Sequence, residues 1–178
     1  MTNGLVAMTP TSVSYSGTSA SINANGSVVF SAVTEFNLNG VFTGDYDNYM
    51  VFMRAEATSP INTYIRFRQS GTDNPNSTHV YQYLQANSTS VNAGRATSTG
   101  GLFSSGGNSL MSGVTGYIFG PYLAQPTAHA SKSGSSENGS RVFDCAGTES
   151  SSTQWDGFKI VTTAYAFSGI ITVFGFNQ

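Results

Sequence analysis

Apolar and polar positions alternate over short stretches of this chain and break at residues that favour turns. The densest such region is Phe36 to Arg68. Leu38, Val41 and Phe42 lead to a turn signal, Gly44-Asp45-Tyr46-Asp47-Asn48. A strand is predicted from Tyr49 to Arg54, a break at Thr58-Ser59-Pro60, and a second strand from Thr63 to Arg68. Tyr, Val, Phe and Ile fit a pleated, half-buried surface, whereas Asp, Asn, Gly and Pro interrupt one. In Thr63–Arg68, Ile65 and Phe67 take one face and Tyr64, Arg66 and Arg68 the other, because side chains alternate along a strand.

The same reading extends along the chain. Ser19–Ile22 and Val28–Phe30 flank Asn25-Gly26, a hairpin signal, since both turn residues tolerate positive φ. His79 to Gln85 is a strand with His79, Tyr81 and Tyr83 on one side and Val80 and Leu84 on the other. Further strands are predicted at Val114–Tyr122, at Arg141–Ala146 with Phe143 and Cys145 sharing a side, at Trp155–Thr163 and at Gly169–Phe176. The Gly169–Phe176 strand is apolar on both faces and is placed centrally. Residues 86–113 and 128–140 hold almost only small polar residues. The former reads as a long loop anchored by Leu102, Phe103, Leu110 and Met111, and such loops commonly carry contacts to partners. No window repeats apolar residues at the helical period. About eight strands and no helix predict an all-β fold, an antiparallel β-sandwich of jelly-roll type. Residues 1–20, with Leu5, Val6 and Met8 as isolated apolar points, read as an extended N-terminal arm. Residues 21–178 form the single domain.

Composition sharpens this picture. Only 9% of residues are charged against 39% hydrophobic, where ordinary globular chains carry roughly 25% charged residues. Ser, Thr, Asn and Gly fill the difference. The 12% aromatic content argues against disorder, because disordered chains are poor in aromatics. Low charge also removes a usual guard against edge-to-edge strand pairing, so an assembly that covers strand edges is expected. The net charge is −2, and its 7 Lys and Arg are scattered. No basic stripe exists to neutralise phosphates, and nucleic acid is not an expected partner. No apolar run approaches the ~20 residues of a membrane helix, and residues 1–10 lack the pattern of a secretory signal. The sequons at Asn25, Asn76, Asn87 and Asn138 are no more than such a composition yields by chance.

Catalytic signatures are absent from the sequence. The 2 histidines, His79 and His129, lie far apart, and a single cysteine, Cys145, allows no disulfide framework. No H-E-x-x-H, C-x-x-C, G-x-S-x-G or phosphate-loop motif occurs. A Cys145–His dyad is countered by the apolar side on which Cys145 sits. Asp45 and Asp47 are turn formers by their spacing, with a calcium site as the alternative. No enzyme activity, cofactor or metal is expected. Arg66 and Arg68 read either as a solvated face or as partners for carboxylates of a neighbouring subunit. Tyr81, Tyr83 and Tyr122, near Asn and Gln, are candidates for stacking on a saccharide, or else bury their rings with hydroxyls at the surface.

Two segments resemble a known family. Leu38 to Val51 (L-N-G-V-F-T-G-D-Y-D-N-Y-M-V) is similar to a segment of tailed-bacteriophage virion proteins. So are Trp155 to Ile160 (W-D-G-F-K-I) and Ser168 to Asn177 (S-G-I-I-T-V-F-G-F-N). Together they cover about a sixth of the chain, and residues 69–140 resemble no family. The resemblance, strongest towards phages of marine cyanobacteria, implies a structural protein at the virion surface: a capsid decoration, knob or head fibre. Such a protein would dock on other virion proteins, capsid or tail subunits; the residues read above as open to a partner are Leu5, Val6 and Met8 of the arm, Arg66 and Arg68, and Leu102 and Phe103 of the long loop. A homo-oligomer, a trimer by that resemblance, is expected. The alternative is a tail-fibre or receptor-binding tip that recognises host surface glycan through Tyr81, Tyr83 and Tyr122.

Overall fold

The computed structural model describes residues 4–105, 112–135 and 141–177. Fourteen strands run through them: β1 (Val6–Met8), β2 (Ser12–Ile22), β3 (Val28–Asn39), β4 (Asn48–Ala57), β5 (Asn62–Gln69), β6 (Thr72–Asp73), β7 (His79–Asn87), β8 (Ser90–Ser98), β9 (Gly101–Ser105), β10 (Ser112–Phe119), β11 (Thr127–Ser135), β12 (Arg141–Glu149), β13 (Gly157–Thr162) and β14 (Phe167–Phe176). Every pairing between them is antiparallel, and the fold is all-β. The aromatic and β-branched segments are strands as predicted, and β14 lies between β3 and β4 in the interior of the sheet. Asn25-Gly26 forms its hairpin: Gly26 N–H donates to the Asn23 carbonyl at 3.0 Å, and Ser27 N–H to Asn25 Oδ1 at 3.1 Å.

Hydrogen bonding runs unbroken through one curled sheet, in the order β6-β5-β13-β3-β14-β4-β10-β11-β12-β7-β8. The curl is produced at β3. Residues 28–33 pair with β14, and residues 35–38 pair with β13. Near the end of the first stretch Ala32 takes φ 47°, and the register of β2 shifts opposite, at Ser16/Gly17. A bulge of this kind bends a strand and raises its twist. Gly17 is required there: a Cβ would stand 2.2 Å from the Ala32 carbonyl oxygen and 2.6 Å from Val33 Cα. The smaller half of the sheet, with β9 paired to β5, folds over the larger, so that β9 packs on the faces of β7, β11 and β12.

The core fills this fold. Phe30, Phe36 and Phe167 meet at the bend, with Phe30 4.5 Å from Phe36 and 4.9 Å from Phe167. Phe42 packs on Tyr49 and on Phe158, at 4.7 and 5.5 Å. Each such ring contributes about 1.5–3 kcal/mol by burial. The buried Tyr49 hydroxyl accepts from Thr43 N–H at 2.7 Å and donates to the Thr43 carbonyl at 2.9 Å, which ties the Thr43–Asp47 turn to the core.

Three expectations change. The segment expected as an arm is extended, but it belongs to the chain's own sheet. Val6–Met8 pair with β14, and Ser12–Ile22 pair with β3. The described part of the expected loop, residues 86–105 and 112–113, is largely strand: β8 pairs with β7 along its whole length, β9 is buried, and Ser112 opens β10. Residues 106–111, which include Leu110 and Met111, lie outside the described residues. The polar stretch 127–135 is β11, between β10 and β12.

Candidate functional site

The expected partner-binding residues are mostly occupied within the chain. Phe103 has 0% exposure and Leu102 4%, because β9 is enclosed between the two halves of the sheet; neither side chain is open to a partner. Arg68 is buried. It pairs with Asp73, donates to Asn37 Oδ1 at 2.9 Å and Asn39 Oδ1 at 3.1 Å, and reaches the Gly71 carbonyl. Lys159 joins the same cluster through Asp73 at 2.6 Å and Glu35 at 3.1 Å. Arg66 donates to Thr99 Oγ1 at 2.7 Å. Met8 packs against the core, Val6 is half-buried, and Leu5 stays half exposed.

The three tyrosines do not converge. Tyr81 and Tyr83 share a face, as the alternation predicts, but that face points inward. Tyr81 is buried with its ring edge to Tyr64, 6.4 Å between centroids, and Tyr83 stacks on Phe143 at 5.8 Å. Burial, with Tyr64 beside it, pushes the Tyr81 hydroxyl up to about 12. Tyr122 follows β10 and packs against the main core near Gly44. Asp45 and Asp47 behave as turn formers. Asp45 N–H donates to Thr43 Oγ1 at 3.3 Å, and Asp47 N–H to Asn177 Oδ1 at 3.0 Å.

Inside the fold lies a polar seam that no motif signals. β11 turns Thr127, His129, Ser131, Ser133 and Ser135 inward, all buried. On the same inner face, two strands along the sheet, stands His79 of β7, with 0% exposure, its ring 6.3 Å from His129 and stacked on Phe67 at 5.4 Å. Glycines make room for His129: a Cβ on Gly101 would lie 2.3 Å from its Cε1, and one on Gly147 2.6 Å from the same atom. The ring nitrogens of both histidines and the hydroxyl oxygens of Thr127 and the three serines lack hydrogen-bond partners among the described residues. Burial holds both imidazoles neutral, with pKa values lowered to about 4. For His79 the Glu149 charge opposes this shift and Arg66 adds to it; for His129 the charge of His79 adds to it and the Leu102 backbone opposes. Glu149 is itself buried. Burial raises its pKa, but hydrogen bonds from Ser151 and Thr78 and the nearby His79 outweigh that and lower it. Cys145, on the inner face of β12, is pushed up to about 12 by burial and then by Asp144, so it is not a thiolate nucleophile at neutral pH. Among the described residues no group of three or more His, Cys, Asp or Glu is arranged to hold a metal, and no helix is long and apolar enough to cross a membrane.

Two surface features remain open. The first is a pair of sheet edges. β2 pairs only with β3, and β8 only with β7, so each carries a free edge among the described residues. The eleven residues of β2 contain no charge and no proline, and those of β8 contain one charge, Arg95. The second is the outer face of the larger half. There the register aligns Tyr117, Ala130, Ala146, Gln82 and Arg95 in one line across five strands. The two alanines make the line a trough, and open cavities of about 600 and 550 Å³ lie over Ala146, Gln82 and Arg95, the second reaching Ala130 and Phe119 beside Tyr117. No protein-family model and no curated protein matches this chain.

Proposed function

We propose that this chain is a structural protein of a bacteriophage particle, a capsid decoration, knob or head-fibre protein that acts by docking on other virion proteins. The observation that carries the reading is the pair of unguarded edges on β2 and β8. An exposed edge offers a row of unpaired N–H and C=O groups to another strand, and proteins that stay apart blunt it with charge, proline or a covering loop. Here neutral small residues leave it open, which suits backbone pairing with a neighbour. The low charge of the whole chain and the resemblance of its Leu38–Val51, Trp155–Ile160 and Ser168–Asn177 segments point the same way. In this reading the curled sheet works as a jelly-roll-like sandwich at the virion surface. Edge pairing builds a homo-oligomer, a trimer by resemblance, and Leu5 ahead of β1 adds an apolar contact.

The test combines light scattering with particle binding. The unaltered protein is expected to be oligomeric and to saturate particles stripped of it at a fixed ratio to the major capsid subunit. Thr18→Lys on β2 and Asn92→Lys on β8, both at exposed positions, should return it to a monomer and weaken capture. A monomer that ignores stripped particles would remove the proposal.

A further inference from the structure

We infer that the trough on the outer face is a binding site for an acidic oligosaccharide. Its line of five residues spans four inter-strand gaps, about 19 Å at the spacing of a β-sheet, which suits an oligomer rather than a single ring. At one end stand Tyr117 and, one step along β10, Phe119. Their rings are 6.2 Å apart and near parallel, at 9°. The middle is the small-residue floor, Ala130 and Ala146. At the other end lie Gln82 and Arg95, both exposed and without a hydrogen-bond or ion-pair partner among the described residues.

Each part fits one feature of a sugar chain. The C–H face of a pyranose ring carries partial positive charge, and an aromatic face carries the negative lobe of its quadrupole. The amide of Gln82 donates and accepts, as paired hydroxyls require. The flank of the trough holds Lys132 and Asp144, which neutralise each other at 2.6 Å. Arg95 is therefore the unbalanced charge of the trough, and its planar fork matches a carboxylate in two parallel hydrogen bonds. A nucleic acid would need a row of cations where there is one. The site shares no residue with Tyr81, Tyr83 or Tyr122, and it does not depend on the assembly reading.

The experiment titrates the soluble full chain with an oligogalacturonide and with a neutral maltodextrin of equal length, by calorimetry and by amide shift mapping. The oligogalacturonide should bind, with shifts confined to the outward residues of β10, β11, β12, β7 and β8. Tyr117→Ala should weaken binding about tenfold or more, equivalent to about 1.4 kcal/mol. Arg95→Gln should remove the preference for the acidic over the neutral chain. Absence of binding, shifts elsewhere on the protein, or equal affinity for the neutral chain would overturn the assignment. So would equal competition by a polyglutamate peptide. Because the mapping uses the unaltered protein, the site stays testable even if a variant fails to fold.

Discussion

Mild acid should unfold this protein, through its two buried histidines. His79 and His129 titrate near 6.5 in an unfolded chain and at about 4 in the folded one. Between those values the unfolded state binds more protons, so stability falls as the pH falls; above 6.5 the contribution is fully present. A depression of about 2.5 units corresponds to about 3 kcal/mol per histidine at 1.36 kcal/mol per unit, and about 6–7 kcal/mol for the pair. Native domains typically have about 5–15 kcal/mol in total. The assay is urea unfolding at a series of pH values, followed by emission of Trp155, the 1 tryptophan, which is buried. The unfolding free energy should be level above about pH 7 and drop steeply between about pH 6.5 and 4.5. Glu149, whose pKa is also lowered, adds its loss only below that window, near and under the ordinary carboxylate range. The His79→Leu and His129→Leu double variant keeps the apolar contacts and removes the titrating groups, so its profile should be flat over the window. An unaltered protein with level stability down to about pH 4.5, or a double variant that keeps the slope, would refute the argument.

Four further outcomes follow from packing. Gly17→Ala should cost about 2–4 kcal/mol in urea unfolding, because its Cβ meets the Ala32 and Val33 backbone and the residue holds φ +136°. Tyr49→Phe should cost about 1–2 kcal/mol and speed amide exchange in the Thr43–Asp47 turn, as both bonds to Thr43 are lost. Lys159→Met removes the cation of Glu35 and leaves Asp73 with Arg68 alone, and should cost about 1–3 kcal/mol. Lys132→Met breaks an exposed pair and should change stability by less than about 1 kcal/mol.

How far the sequence reveals this fold depends on side-chain size. Strands β4, β5, β7, β10 and β14 stand out because Tyr, Phe, Ile and Val alternate in them. Strands β8, β9 and β11 do not. β9 is enclosed on both faces, so it shows no alternation. β11 inverts the usual code, with Thr, His and Ser inward and Ala and Lys outward; a polarity reading discards it as a loop. Gly147, the partner of His129 on β12, and Gly101, on β9 packed over them, admit the histidine ring in place of their own side chains. The tyrosine alternation in β7 was legible, but its direction was not, since both faces of that strand mix aromatic, aliphatic and amide groups. The trough is invisible to sequence reading for a topological reason. Its five residues come from five strands, and only the register places Tyr117 in line with Arg95.

The bent strand β3 also sets the order in which the molecule can be made. Both of its partners on one edge, β13 and β14, are synthesised more than a hundred residues after it. While the chain is growing, β2 and β3 have only each other, and an isolated hairpin is marginal in water. Phe30 and Phe36 therefore wait for Phe167 to leave the ribosome before the cluster at the bend can close. Folding of this sheet is expected to be late and slow, as for other topologies dominated by distant pairings. The nascent chain, with its apolar strands unpaired, is the stage at which a chaperone would find it.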